Sequence, residues 1–523
     1  MKKGMFLILF AAILTSLSAS NKTAIDYYDS GDLTKAKAMF LATPNPDAMD
    51  YYYLGTILLR EKNTAEAKKN FEKGLQADPA NLYNNLGLAA IQMASDPKAA
   101  DKALKSISGN KAYKKDVTMQ TAIAEVYARA NNDAMFQVYL AKAKKADKKS
   151  ALPYILEGNL AMEKGKTNDA AVQFENARYF DPNSKVALVK LAQLYVNTRR
   201  QIAFELLDQA TTLDPNYEYG WKTQGDLRRT AGFYPEAKAA FQKYLGLTTP
   251  TPEDYQIYGQ ILYFAEDYDE ALAALEKAPI NTVTNRLKMY SMYDQNKYDE
   301  ALPLAQKLIS EAPKAELITQ DFIYTAEMLN KAKEFDKAGK YYEMAFEADT
   351  TETRFTYLSK AANAYENAGS YPKAFELFQK AVDENPEHTL ADVYALGAAY
   401  YSAGLKLQNK EYLTKASEVF GQVLEMTPEN VDIMMMQARA NSAMDPETTG
   451  GLAKPYYEKV LAIVQLDPEK YQKEIFEVYQ YLGVYYFKTD KYDQAREYFV
   501  KVLEIDPENA LAKQVIASID SVR

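Results

Sequence analysis

A pattern of small and large apolar residues returns about every 34 residues along this chain of 523, and it narrows the possible folds more than any other feature. Between Ala151 and Ser184 it reads Tyr154, Gly158, Ala161, Gly165, Ala170, Phe174, Ala177 and Asp181-Pro182. Two periods on, Trp221, Gly225, Gly232, Ala237, Phe241 and Tyr244 take the same slots. The register returns at Leu358, Ala362, Tyr365, Gly369, Ala374 and Phe378, and again at Tyr479, Gly483, Tyr486, Ala495 and Phe499. Within each period apolar residues recur at i, i+3 or i+4 and i+7, so each half predicts an amphipathic helix. Small residues at the eighth slot (Gly55, Gly158, Gly225, Gly259, Gly397, Gly483) let two helices approach closely. Large ones at the twenty-fourth (Phe71, Phe174, Phe241, Phe378, Phe420, Phe499) predict filling of the space between neighbouring units.

These residues and spacings resemble the tetratricopeptide repeat, a helix–turn–helix unit. The resemblance covers nearly all of the chain after its first twenty residues. It implies an all-α, right-handed α-solenoid of about fourteen units. Residues 510–523, with Leu511, Val515, Ile516 and Ile519, are expected to form a helix capping the open end, because no unit has a core of its own. Gly165, Gly232 and Gly369 suit the positive φ of tight inter-helix turns. Asp-Pro pairs such as Asp78-Pro79, Asp181-Pro182, Asp214-Pro215, Asp467-Pro468 and Asp506-Pro507 are expected to stop one helix and cap the next, with proline in its first turn. Residues 82–116 are degenerate, with Ser95-Asp96-Pro97 at the turn. Insertions are expected around Leu405–Tyr412 and at Pro446–Gly451, the latter followed by a lengthened second helix. The unit near 252–281 ends early at Ala278-Pro279-Ile280, which predicts an N-terminal lobe over 21–281 and a C-terminal lobe over 282–523.

The first twenty residues read as an address. Lys2 and Lys3 precede an apolar run from Met5 to Leu14, and Ser18-Ala19-Ser20 supplies small residues for cleavage. The run is shorter than the roughly 20 residues a membrane span needs. A signal peptide over 1–20, export, and a soluble periplasmic or secreted mature chain are the expectation.

Composition excludes much chemistry. With no cysteine, thiolate metal sites, thiol nucleophiles, disulfides and lipidation at cysteine are out of reach. The single histidine, His388, follows Asn385-Pro386 and is expected in an exposed inter-unit turn. No phosphate loop, nucleophile elbow or metalloprotease motif is present, so the reading is a non-enzymatic protein with no cofactor and no metal. A net charge of −9 argues against nucleic acid. Tyrosine is the compositional outlier at 42, and most of these rings are expected to pack between helices.

In proteins with such repeats the second, fifth, ninth and twelfth slots of the first helix line a concave groove. The resemblance therefore implies a partner-binding strip of Lys222, Asp226 and Arg229, then Gln256, Gln260 and Tyr263, then Arg286, Tyr290 and Tyr293. Family members that grip a free C-terminal carboxylate use lysine at the fifth slot and asparagine at the ninth. Here Lys222 is followed by Asp226, so that clamp is not expected. The implied function is an envelope scaffold whose groove holds partner proteins or peptides. The alternative is a glycan- or peptidoglycan-binding protein that uses the aromatic part of the strip.

Overall fold

The computed structural model describes residues 21–522. The signal segment expected over 1–20 lies outside them. Helix makes up 77% of the structure, and no strand occurs among the described residues, so the chain is all-α. Among the described residues twenty-nine α-helices, numbered α1–α29 in chain order, follow one another in tandem as antiparallel pairs. The chain divides into two compact units, one ending at Pro279 and the other beginning at Ile280.

The pairing rests on one recurrent contact. In α9 (Leu152–Glu163), Gly158 faces the ring of Phe174 in α10 (Thr167–Phe180) so closely that a Cβ would lie 2.3 Å from Cε1. Gly55 meets Phe71, Gly225 meets Phe241, Gly397 meets Phe420 and Gly483 meets Phe499 in the same way. Each Phe is buried. The small and large slots are therefore the two halves of one contact within a pair, and the ring also reaches the next pair, as Phe71 does at Gly87.

The turn inside most pairs uses the left-handed region whether or not glycine is present. Gly165, Gly232 and Gly369 have φ of +70°, +83° and +81°, and Lys62, Asn131, Glu266, Asn296 and Lys333 hold φ between 55° and 64° in equivalent places. The Asp-Pro pairs behave differently from expectation. Asp78, Asp181, Asp214 and Asp506 accept from the N–H two residues on, forming a turn that keeps the proline outside both helices. Capping passes to a later residue: Asn81 accepts from Tyr83 N–H, and Ser184 from Ala187 N–H. At the degenerate turn, Asp96 does cap α6 (Pro97–Gly109), with Pro97 in its first turn.

In the second unit, the insertion near Leu405–Tyr412 extends α23 (Leu390–Leu407) and α24 (Lys410–Met426) on either side of Gln408, whose φ is +51°. The later insertion falls otherwise than expected. Its second helix, α26 (Lys454–Val464), is short, and the long helix is the following α27 (Gln472–Lys488). At the end of the chain α29 (Ala510–Val522) covers the last pair through Ala512, Val515 and Ile519, which pack with Ala495, Phe499 and Val502. Leu511 instead stays exposed.

Candidate partner-binding surface

In the first unit the expected strip lies on α13 (Glu218–Thr230) and α15 (Pro252–Phe264). Lys222, Asp226, Arg229, Gln256, Gln260 and Tyr263 are all half-buried. Arg229 ties the two helices by donating from Nη1 to Oε1 of Gln260 at 2.9 Å, and it pairs with Asp226 at 3.6 Å. Its Nε has no hydrogen-bond partner. Burial lifts the Asp226 carboxyl above its ordinary pKa, with Arg229 and Lys222 pulling the other way. The Tyr263 ring meets Phe264 and Tyr268 edge to face or tilted, at 5.1 and 5.9 Å. This part of the strip offers charge, amide and aromatic groups side by side.

In the second unit Arg286, Tyr290 and Tyr293 lie on α17 (Thr282–Asp294) and are engaged within the fold. Arg286 grips both oxygens of Asp321 at 2.8 and 2.7 Å and donates to the Glu316 carbonyl at 2.6 Å. Asp321, on α19 (Thr319–Lys331), is 0% exposed; Tyr290, 7% exposed, donates to it at 2.9 Å. Tyr293 stacks on Tyr324 at 3.8 Å and donates to Glu327. A carboxylate with no water around it needs these donors, so Arg286 and Tyr290 are held between α17 and α19, while Tyr293 is half-buried beside them. His388 is exposed, its Nδ1 3.1 Å from the Asn385 carbonyl.

Sequence reasoning missed a group that occupies the same face in the first unit. Residues 21–30 form α1, which lies against α11 (Lys185–Tyr195) and the start of α13. Lys185 Nζ is 2.7 Å from both Asp26 and Asp214, and Lys190 donates to the Ser30 carbonyl at 3.1 Å. The hydroxyls of Ser30 and Tyr217 share a hydrogen bond of 2.6 Å. Tyr27 donates to Glu218 at 3.4 Å and meets Tyr219 edge to face. Tyr27 and Tyr217 are each 0% exposed. Lys222 of the strip also reaches this end of the chain, 3.8 Å from Asp32. No local pattern in the sequence pointed to contacts between residues so far apart.

Beside α1, a charge ladder links the first helices α3, α7 and α9. Arg60 on α3 (Ala48–Arg60) donates to Tyr28 at 3.2 Å and to Glu125 on α7 (Val117–Arg129) at 2.6 Å. Arg129 bonds Glu125 at 2.7 Å and Glu163 at 3.1 Å. Burial pushes the Glu125 carboxyl up, but Arg60 and Arg129 outweigh it and hold it below its ordinary value. Next to the ladder, Gly87, Ala90, Ala94 and Ala122 leave a hollow of about 530 Å³. Among the described residues no cluster of metal-ligating side chains occurs.

Two stretches, 51–81 and 476–509, match the tetratricopeptide repeat family. A TPR repeat-containing protein of Methanocaldococcus jannaschii is 23% identical over 56% of this chain and 51% of its own length. Stress-induced-phosphoprotein 1 of Caenorhabditis elegans is 28% identical over 35% of this chain and 50% of its own. The chain thus spans about half the length of the curated relatives it matches. Among solved structures, the C-terminal part of a TPR repeat-containing protein from Cytophaga hutchinsonii is 27% identical, with a TM-score of 0.38, over 50% of this chain and 98% of that one. With an all-helical fold of tandem pairs and two stretches that match the family, the chain carries tetratricopeptide repeats.

Proposed function

We propose that this chain is a non-enzymatic scaffold of the cell envelope that holds partner proteins or peptides on the face lined by its first helices. Tetratricopeptide repeat proteins generally mediate protein–protein interactions, which supports the class of function. The observation that carries the reading is the strip on α13 and α15, where Arg229 and Gln260 bridge two helices and Asp226, Gln256 and Tyr263 stand half-exposed beside them. Such a surface offers hydrogen bonds and stacking to an extended or helical peptide without first having to form. Lys222 completes the strip, and in the second unit Arg286, Tyr290 and Tyr293 brace α17 against α19. Envelope location rests on the basic start and short apolar run of residues 2–14, with the periplasm as the destination. No described helix is long and apolar enough to cross a membrane.

The test is capture of the tagged, exported chain from envelope extracts after mild crosslinking. One partner or complex should be recovered and should disappear when Arg229, Gln256 and Tyr263 are changed together to alanine, with the helical circular dichroism of the chain retained. Recovery of the chain alone would contradict the proposal.

A further inference from the structure

Helix α1 shares a core with α2 (Leu33–Ala42) and α3 through Ala24 and Tyr27, and it also lies against α11 and the start of α13. Its polar contacts with α11, with the start of α13 and with Asp214 in the connection before it join residues 159 to 192 positions apart. Lys22, Asp26, Tyr27 and Ser30 fall at i, i+4, i+5 and i+8, which is how a helix lays one stripe into a groove. The receiving side supplies complementary chemistry. Lys185 meets Asp26 and also stands 4.3 Å over the Tyr217 ring, Lys190 meets the Ser30 carbonyl, and Glu218 accepts from Tyr27. Only Gly31, at φ +97°, and Asp32 join α1 to α2, so the link is a two-residue turn.

We propose that the surface formed by α11 and the start of α13 is a receptor for a tyrosine-bearing helix that presents a carboxylate to Lys185. In this chain it is filled by residues 21–30, and it opens to a helix of the same chemistry on a partner protein once α1 is displaced. The inference rests on the reading of the chain as a protein-binding scaffold, and it names the partner's chemistry. Tethering gives α1 an effective concentration of the order of millimolar, so a free peptide of equal contacts cannot compete with it in the intact chain. Weakening the tethered copy without touching the receptor should reveal the site.

The experiment uses the full chain and a full-chain variant, Tyr27→Ala with Ser30→Ala, and a fluorescein-labelled peptide of residues 21–32 as probe. Hydrogen exchange should quicken in residues 21–30 of the variant and stay unchanged in α11. The probe should bind the variant saturably, at least about tenfold more tightly than the wild type. Adding Lys185→Ala to the variant should abolish that binding. Release of residues 21–30 without probe binding would overturn the proposal, as would residues 21–30 that remain fully protected. A concentration-dependent dimer of the variant would place a second copy of this chain on the surface and overturn the assignment to another protein. Because chain and probe are both purified, failure here leaves the envelope capture result standing on its own.

Discussion

The hydroxyls of Ser30 and Tyr217 meet at 2.6 Å across 187 residues of chain. Both side chains are buried, so neither can turn to water if the other is lost. Removing one partner should cost about 1–3 kcal/mol, because the remaining hydroxyl stays buried and unpaired. Trp221, the only tryptophan, lies on α13 and reports on this contact through its fluorescence. In urea titrations, Ser30→Ala and Tyr217→Phe should each lower the midpoint, and the double variant should be no worse than the poorer single one.

The docking of α1 should also depend on pH. Burial, with Asp26 alongside, pushes the Asp29 carboxyl up to about 7, against Lys190, Lys185 and Arg60, which favour its charge. Burial lowers Lys190 to about 8, with Asp29 raising it and Arg60 adding to the fall. Between pH 3.8 and about 7 the docked form holds a proton that the released chain gives up, so stability falls as pH rises. Between about 8 and 10.5 the released chain holds a proton that the docked Lys190 has lost, so stability climbs again. Followed by Trp221 fluorescence, the stability gained by Asp29→Asn over the wild type should grow from pH 4 to pH 7. A gain that is flat over this range would mean Asp29 is not held in its neutral form.

In the second unit Asp321 should be the most sensitive of the residues around the strip. It is fully buried, receives Arg286 and Tyr290, and accepts from the Ile318 N–H at 3.0 Å. Asp321→Ala leaves the Arg286 charge without its partner and should cost about 3–5 kcal/mol. Tyr290→Phe removes one hydrogen bond to a charged group and should cost about 1.5–3 kcal/mol. Calorimetric melting of the full chain checks both, and the loss should sit in the transition that contains α17 and α19.

Glycine substitutions separate close packing from helix propensity. Gly158→Ala would drive a methyl group against the Phe174 ring and should cost about 1–3 kcal/mol. Gly246, near the end of α14 (Tyr234–Leu247), has nothing within 4 Å of its Cβ position. Gly246→Ala should be neutral or stabilise by up to about 1 kcal/mol. Thermal melts that rank the two variants the other way would refute the pairing of small and large slots.

The repeat was legible because its signals are local: Gly158 and Phe174 lie sixteen positions apart, within one helix pair, and both belong to a fixed register. The Asp-Pro pairs misled because an aspartate can bind the backbone two residues on as readily as cap a helix, and Asp214 does the former. On α13 and α15 the slots expected to form the strip are half-buried and lie on neighbouring first helices. On α17 the same slots hold Arg286 and Tyr290, whose engagement depends on Asp321, a residue from the next pair. The docking of α1 was illegible for a different reason. Tyr27, Ser30, Lys190 and Tyr217 follow no shared period, and only the path of the chain brings them together.

The most direct test of the account is site-specific photocrosslinking in cells that produce the full chain, with the reactive side chain placed in turn at Gln256, Tyr263 and Lys243. The first two lie on the strip, and Lys243 is exposed on α14, the second helix of its pair. The account predicts a discrete protein adduct from Gln256 and Tyr263 and none from Lys243. Equal labelling from all three positions, or adducts from Lys243 alone, would contradict a partner-binding strip on the first helices.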